Sequence, residues 1–326
     1  MSFSENLLQL KKQAMAQAGP MFAHIDSIAE ANTLKVLDAM RECQVSEAHF
    51  NTTSGYAYDD IGRSKIEELF AKVFGAERAL VRTNFVSGTH ALATVLFGIL
   101  RPGDKLVSIT GAPYDTMQTV IGYANESPGS LKEFGVLYDE LEMIDGKVDM
   151  AGIAGKITPD TKMVLIQRSR GYSMRNPLTI EEIGAICQEV KKAKPDCICF
   201  VDNCYGEFVD TQEPVQAGAD IMAGSLIKNP GGGVALTGGY IAGKSDLVEL
   251  CSYRLTAPGM GDELGASLAN NRMIFQGFFL APHVVAQAIK GAVFAAALFA
   301  LLGYKTLPLP TDVRGDIIQA IQLDSP

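Results

Sequence analysis

The chain has 326 residues, of which 47% are hydrophobic and 20% charged, a composition typical of a globular protein with one large or two moderate domains. Its formal net charge is -9, from 28 basic and 37 acidic residues, and no segment is rich in lysine and arginine, which argues against nucleic-acid binding. The 6 cysteines lack the paired spacing of a metal site, so the sequence predicts no bound metal and a reducing, cytoplasmic setting.

The N-terminal 40 residues carry apolar side chains at near-helical spacing and predict a helical arm that is broken at Gly19 and Pro20. Residues 1–18 lack the apolar core and the cleavage site of a signal peptide. The longest apolar run, Gly291–Leu302, has only about a dozen residues, whereas a bilayer needs about 20. The sequence therefore predicts no membrane partner.

A polar, loop-like segment at residues 51–60 precedes the first predicted helix of the main domain. Ser64–Phe74 has the apolar spacing of an amphipathic helix, and Gly75 ends it as a C-cap glycine would. Tyr56 and Arg63 stand in or beside the loop. They either anchor an irregular surface loop or reach toward an anionic ligand.

Small residues open the next helix. Ala79–Val81 predicts a strand and His90–Leu100 a helix, with Ser87, Gly88 and Thr89 between them. Backbone N–H groups at a helix start point outward, and the helix dipole favours an anion there. The alternative is an ordinary N-cap by Ser87, which needs no ligand.

Two further predicted strands end in residues that suit a binding site. Lys105–Ile109 leads to Tyr114, which either lies flat on an aromatic ring or belongs to a Pro-Tyr-Asp turn. Met163–Gln167 leads to an arginine cluster that includes Arg168 and Arg170. Arginines there suit an anionic substrate or phosphate, and a solvated cluster is the alternative.

A carboxylate and an amine follow two apolar runs farther along the chain. Cys197–Val201 predicts a buried strand that ends at Asp202, and Asp220–Ile227 carries Ser225 and ends at Lys228. Ligands of an open α/β sheet bind at the carboxyl ends of its strands. A lysine for the Schiff base and an aspartate for the pyridinium nitrogen are what a pyridoxal phosphate (PLP) site most needs. Taken singly, a solvated lysine and a helix-capping aspartate are the alternatives.

The order of the elements predicts the fold class. Strands and helices alternate through residues 79–242, which indicates an α/β domain with a mostly parallel sheet. Residues 246–304 turn mainly helical. Arg314–Ile321 looks like the start of a new element without its partners.

Seven segments carry a family resemblance: YAYDDIGRSKIEELFAKVFGAERALVR, SGTHAL, RPGDKLVSITGAPYDTM, IQRSRGYSMR, VDNCYGEFVD, SLIKNPGGG and QGFFLAPHVVAQAIKGA. They resemble the methionine γ-lyase-like family, also called aluminium resistance proteins, which is related to cystathionine β-lyases. This resemblance implies a fold-type-I PLP-dependent transferase-like fold. It also implies a mostly parallel, seven-stranded-type sheet flanked by helices, with a truncated C-terminal small domain.

The resemblance implies roles around the reacting end of the cofactor. Lys228 should be the Schiff-base lysine and the proton shuttle. Asp202 should pair with the pyridinium nitrogen, and Tyr114 should stack on the ring as a second catalytic residue. Arg168 and Arg170 are the implied substrate contacts.

The resemblance also implies how the cofactor phosphate is held. Ser87, Gly88, Thr89 and Ser225 should bind it, Gly88 and Thr89 through their backbone N–H groups. Tyr56 and Arg63 match positions that reach the phosphate of a neighbouring subunit. A homodimer or homotetramer with shared active sites is therefore implied.

The implied domain organisation departs from the family at the C-terminus. Family members continue into a small C-terminal domain that helps to bind the substrate carboxylate, whereas this sequence stops at Pro326. We therefore expect three parts, which are an N-terminal helical arm over 1–50, a large PLP-binding α/β domain over 51–285, and a linker helix with the start of an incomplete C-terminal domain over 286–326.

The implied reaction is cleavage of a carbon–sulfur bond in cystathionine, methionine or cysteine by β- or γ-elimination. We expect burial and the cationic cofactor to lower the pKa of Lys228, so that the freed amine removes the α-proton. A catalytically impaired, truncated PLP-fold protein is one alternative, and a PLP transaminase or decarboxylase is another. A nicotinamide dehydrogenase is disfavoured because no G-x-G-x-x-G follows the first strand.

Overall fold

A seven-stranded sheet forms the centre of the computed structural model, which describes residues 4–123, 127–171 and 173–323. Its strands are β1 (Arg78–Arg82), β2 (Lys105–Ser108), β3 (Leu137–Glu140), β4 (Thr161–Gln167), β5 (Ile198–Asp202), β6 (Ile221–Ser225) and β7 (Gly239–Gly243). Their order across the sheet is β1-β7-β6-β5-β4-β2-β3. β7 runs in the direction opposite to the other six strands of this sheet, so the predicted mostly parallel sheet is confirmed.

Helices cover both faces of the sheet. They are α1 (Glu5–Glu42), α2 (Ile61–Phe74), α3 (Gly88–Ile99), α4 (Asp115–Ile121), α5 (Ile153–Lys156), α6 (Ile180–Ala193), α7 (Ser245–Leu255) and α8 (Asn271–Leu301). Local signals in the sequence fix several of their ends. Thr179 and Glu182 form a capping box at the start of α6, and Gly75 ends α2 in the left-handed conformation, at φ 69.

The alternation of side chains along the strands divides the core into two apolar clusters. In β4, Val164 and Ile166 face the cluster that contains α1, α2, α6 and α8. The neighbouring residues Met163 and Leu165 face the cluster that contains α3, α4 and α7. The result is a three-layer α/β/α sandwich, whose central strands are buried on both faces.

The N-terminal arm is one continuous helix, so the predicted break at Gly19 and Pro20 is wrong. Proline has no N–H to donate to the carbonyl of Ala16, which normally ends or kinks a helix. Ala16 and Pro20 both lie on the exposed side of α1, where water can take the place of the missing hydrogen bond. The opposite side of α1 lies along α8, and this packing holds the helix together across Pro20.

Helix α8 is far longer than the apolar run from which its burial was predicted. It is long and apolar enough to cross a membrane, but core helices of soluble proteins can be equally long and apolar. Phe275, Phe278 and Val285 on α8 are buried in the cluster that α8 shares with α1 and α2. We therefore describe α8 as a core helix.

The C-terminal segment pairs with an earlier strand. Two short strands, β8 (Lys305–Leu307) and β9 (Ala320–Gln322), form an antiparallel ribbon. Between them Asp316 is fully buried and accepts a hydrogen bond of 2.7 Å from Ser169 Oγ. The prediction that Arg314–Ile321 lacks partners is therefore wrong, while the three domain boundaries stay a prediction.

Candidate active site

The strand ends bring together an acid, a hydroxyl and an amine. Strands β5 and β6 are parallel neighbours, with Asp202 paired to Ala223. Asp202 ends β5, Ser225 ends β6, and Lys228 follows Ser225 in the next turn. The edge of the sheet predicted from the sequence therefore carries all three residues.

Lys228 is half-buried, and its Nζ lies 4.0 Å from the centroid of the Tyr205 ring. Burial lowers the pKa of this amine, but attraction to Cys204, Tyr205 and Asp202 outweighs burial and raises the pKa above its ordinary value. The expectation that burial lowers this pKa is therefore wrong for the protein's own residues. A lowered pKa requires the positive charge of a bound cofactor.

Asp202 is an almost fully buried carboxyl, 6% exposed, whose Oδ1 accepts a hydrogen bond of 3.1 Å from the backbone N–H of Cys204. Burial raises its pKa, while the hydrogen bond from Cys204 and the charge of Lys228 oppose that rise. A buried carboxylate needs a cationic partner to stay ionised. A protonated pyridine nitrogen is such a partner.

The N-terminus of α3 faces Ser225. Ser87 caps the helix, with its Oγ accepting a hydrogen bond of 3.1 Å from the N–H of His90. A Cβ added at Gly88 would lie 3.2 Å from the Cβ of Ser225 and 3.3 Å from the Sγ of Cys204, so this position favours glycine. The Ser225 hydroxyl is buried and has no hydrogen-bond partner within residues 4–123, 127–171 and 173–323.

An orphaned buried hydroxyl is costly, and a ligand that satisfies it removes the cost. The hydroxyl here lies beside a helix start, where an anion is favoured. The Ser87 cap leaves this possibility open because it uses the N–H of His90 and not those of Gly88 and Thr89. These groups suit a phosphate ester, so the residues present fit the phosphate end of PLP.

Tyr114 connects the start of α3 with the end of β4. Its hydroxyl lies 3.0 Å from Thr89 Oγ1, and its backbone N–H donates a hydrogen bond of 3.0 Å to Gln167 Oε1. Burial raises the pKa of the phenol, and the negative charge of Asp202 raises it further. Tyr114 is therefore a neutral phenol at physiological pH and lies in the same electrostatic environment as Asp202.

The structure does not bring Arg168 and Arg170 to an open surface. Arg168 is fully buried and donates a hydrogen bond of 2.8 Å to Asn203 Oδ1. Arg170, 2% exposed, donates to the carbonyls of Leu307 and Ser173 at 2.7 and 2.6 Å. These contacts give both arginines a structural role, and Arg170 also lines a cavity together with Tyr114. The predicted contacts with substrate stay a prediction.

The two predicted residues in and beside the loop before α2 differ in their exposure to solvent. The side chain of Tyr56 is 73% exposed, as a residue that reaches another subunit must be. Arg63 is buried and donates to the carbonyls of Ala57, Gly265 and Glu263 at 2.8, 2.7 and 3.0 Å. Arg63 thus holds its own loop in place, and the intersubunit roles of Tyr56 and Arg63 stay predictions.

A buried acid next to the site was not predicted from the sequence. Glu207 is fully buried; its Oε1 accepts a hydrogen bond of 2.8 Å from the Tyr240 hydroxyl, and its Oε2 has no partner among the described residues. Burial raises the pKa of Glu207 to about 8. The only signal for it in the sequence is an acidic residue inside the motif VDNCYGEFVD, which also fits a surface turn.

This pKa predicts how stability depends on pH. The folded protein keeps a proton on Glu207 up to pH about 8, whereas the unfolded chain loses it near pH 4.3, a pKa of about 4.3 being ordinary for glutamate. The stabilisation is therefore fully present below pH about 4 and is lost as the pH rises toward 8. We expect Glu207→Gln to reduce the fall in the free energy of unfolding between pH 5 and 8, as measured by urea titration.

The matched control is Glu30→Gln, on the exposed side of α1, which should keep the pH dependence of the wild type. A Glu207→Gln protein with an unchanged pH dependence would show that Glu207 is ionised in the folded state.

Comparisons with known proteins show which family the chain is similar to. The methionine gamma-lyase family model matches residues 7–326. The uncharacterized protein YnbB of Bacillus subtilis is 49% identical over 318 residues, which are 96% of this chain and 76% of that protein. A carbon-sulfur lyase involved in aluminum resistance from Clostridium novyi has a crystal structure that superposes with a TM-score of 0.96 at 47% identity, covering 99% of this chain and 77% of that one.

A more distant relative has a defined activity in its name. The L-methionine gamma-lyase of Pseudomonas deceptionensis is 25% identical over 219 residues, which are 66% of this chain and 49% of that enzyme. The solved structure of the lyase agrees with the fold, and the family model and the relatives of high identity agree with the family resemblance found in the sequence. The chain therefore belongs to the methionine gamma-lyase family of fold-type-I PLP enzymes.

Proposed function

We propose that the chain is a PLP-dependent carbon–sulfur lyase that acts on a sulfur-containing amino acid of the cystathionine, methionine or cysteine type, by β- or γ-elimination. One observation carries the cofactor assignment. The ends of β5 and β6 bring Asp202 and Lys228 together. Beside them, the buried Ser225 hydroxyl faces the start of α3 and has no hydrogen-bond partner in the part of the chain that the structure describes. The names of the relatives support the reaction class.

Six residues would hold the cofactor, and Lys228 would be its covalent attachment point. The backbone N–H groups of Gly88 and Thr89 and the Ser225 hydroxyl would bind its phosphate. Asp202 would face the ring nitrogen, and Tyr114 would lie against the ring. When bound, PLP supplies an electron sink that stabilises negative charge on the α-carbon of an amino acid.

Lys228 is the base in this proposal. Its Nζ accepts the α-proton of the substrate. A γ-elimination also requires removal of a proton from Cβ, which the same Nζ can accept only after it has released the first one. The protein alone raises the pKa of this amine, so the cationic cofactor is needed to give the neutral base. Tyr114, a neutral phenol hydrogen-bonded to Thr89, would supply a hydroxyl beside the bound cofactor.

The subunit arrangement belongs to the same proposal. We infer a cytoplasmic homodimer or homotetramer in which the exposed Tyr56 of one subunit approaches the phosphate site of another. The proposed partners are a small amino-acid substrate and further copies of the chain, without nucleic acid or membrane. Light scattering on the purified protein tests this arrangement, and a monomer would contradict it.

A visible absorbance spectrum tests the function directly. The protein purified with PLP should be yellow, and adding cystathionine, methionine or cysteine should change the spectrum. Thiol, 2-oxo acid and ammonia should then form in equal amounts. A colourless protein would contradict PLP binding. A yellow protein that releases no thiol would contradict the lyase proposal; transfer of the amino group to a 2-oxo acid, or release of carbon dioxide, would then support a transaminase or a decarboxylase.

A further inference from the structure

The chain makes a strained turn directly after Asp202. The N–H of Gly206 donates a hydrogen bond of 2.9 Å to the carbonyl of Asn203, which closes the turn Asn203–Gly206. Inside it, Tyr205 has a φ of 71, in the left-handed region where side chains other than glycine are disfavoured. A bulky aromatic residue in this conformation persists only when its surroundings impose it.

Buried polar contacts impose this turn. Asn203 is fully buried, and it accepts a hydrogen bond of 2.8 Å from Arg168 and donates one of 2.9 Å to Glu213. At the other end of the turn, a Cβ on Gly206 would lie 2.5 Å from Cδ of Arg168. Arg168 thus supports both ends of the turn from inside the protein.

The turn presents the Tyr205 ring to Lys228. The ammonium nitrogen lies 4.0 Å from the ring centroid, well within the distance of about 6 Å at which a cation is attracted to an aromatic face. Both side chains are half-buried, so water screens this attraction only in part.

From this geometry we propose that Tyr205 is a positioning residue for Lys228, and that its ring is the site where the free amine is held whenever it is not joined to the cofactor. The strained turn places the ring, and Arg168 places the turn. The inference rests on the proposed function, which makes Lys228 the lysine to which the cofactor is attached. Tyr205 is thereby added to the site, and it acts while the amine of Lys228 is free.

The contact predicts the reactivity of the free amine in the protein without cofactor. Only the neutral amine is nucleophilic, and the ring stabilises the ammonium form. We would measure acetylation of Lys228 by acetic anhydride as a function of pH, with mass spectrometry of the peptide that contains this lysine. Tyr205→Leu is expected to move the midpoint of this profile down by about one pH unit, so that acetylation below the midpoint is about tenfold faster.

Two further variants separate the ring from the backbone. Tyr205→Phe keeps the aromatic face and should leave the midpoint near that of the wild type. Tyr205→Gly removes the ring and also relieves the strain at a φ of 71, so it should fold at least as well as the wild type and react like Tyr205→Leu. Tyr123→Leu is the matched control and should leave the acetylation profile of Lys228 unchanged. It removes a similar contact at the surface, where Lys132 Nζ lies 5.3 Å from the centroid of the Tyr123 ring.

The outcomes separate the role of the Tyr205 ring from the proposed function of the protein. An unchanged midpoint in Tyr205→Leu and Tyr205→Gly, or a shift of the same size in Tyr205→Phe, would overturn the role of the ring. The rate of PLP capture, followed by visible absorbance at several pH values, should change in parallel with acetylation. If the wild type captures no PLP, the proposed function fails, while the acetylation profiles still decide whether Tyr205 holds Lys228.

Discussion

Lys228→Ala is expected to abolish the borohydride-reducible attachment of PLP and to lower thiol release by at least about a thousandfold. The lysine has two functions in the proposed reaction, as the covalent attachment point and as the base, and general-base catalysis alone contributes about 10²–10⁴ in rate. The measurement is mass spectrometry of the peptide containing residue 228 after treatment with PLP and borohydride, together with an assay of thiol release.

The matched control for this variant is Lys72→Ala. Lys72 forms an exposed ion pair with Glu42, away from the strand ends, and its loss should change neither attachment nor activity. A Lys228→Ala protein that still forms the reducible linkage would refute the assignment of Lys228, and the position of the labelled peptide would then identify the lysine actually used.

Arg168→Leu is expected to lower the free energy of unfolding by about 3 kcal/mol or more, because removing one member of a buried charged pair leaves the other uncompensated. Arg168 and Glu213 are both fully buried, with Nη1 3.6 Å from Oε2, and Arg168 also supports Asn203. Urea unfolding measures the loss. Adding Glu213→Gln to the variant should return part of it, since the orphaned acid is then removed.

The exposed pair of Arg41 and Asp38 supplies the control, and Arg41→Leu should cost less than about 1 kcal/mol. The same experiment separates two interpretations of Arg168. A variant that keeps its stability but requires more substrate for half-maximal rate would support the contact with substrate that the sequence suggested. A large loss of stability supports the position that the structure gives to this arginine.

The main sheet was predictable because its strands are short apolar runs that end at polar residues. Both faces of a central strand are buried, so successive residues along it are apolar. In β4, for example, Val164 and Ile166 pack into one core cluster, and Met163 and Leu165 pack into the other. Strand β3 was not predicted because Leu137–Glu140 lies at the edge of the sheet and none of its residues is buried. The break in α1 was predicted wrongly because the sequence does not show that Pro20 faces water.

Some residues of the site were predictable from the sequence, and others were not. Asp202 and Lys228 were predictable because Asp202 ends one buried strand and Lys228 follows another, and parallel strands end at one edge of the sheet. The surroundings of Arg168 depend on Asn203, which is 35 residues away in sequence, and no local pattern reports that contact. Tyr205 was missed because a positive φ is not expected of tyrosine, so the turn that contains it has no sequence signal.

The pairing of the first helix with the last long one has a consequence for biosynthesis. Asn32 on α1 donates hydrogen bonds of 3.2 and 2.9 Å to the carbonyls of Phe208 and Asp210, and Lys290 on α8 pairs with Asp26. A ribosome that adds about 5–20 residues per second needs tens of seconds to travel from the arm to these partners. During that interval the apolar side of the arm lacks its final docking surface, so we expect the nascent chain to depend on chaperones until α8 has emerged.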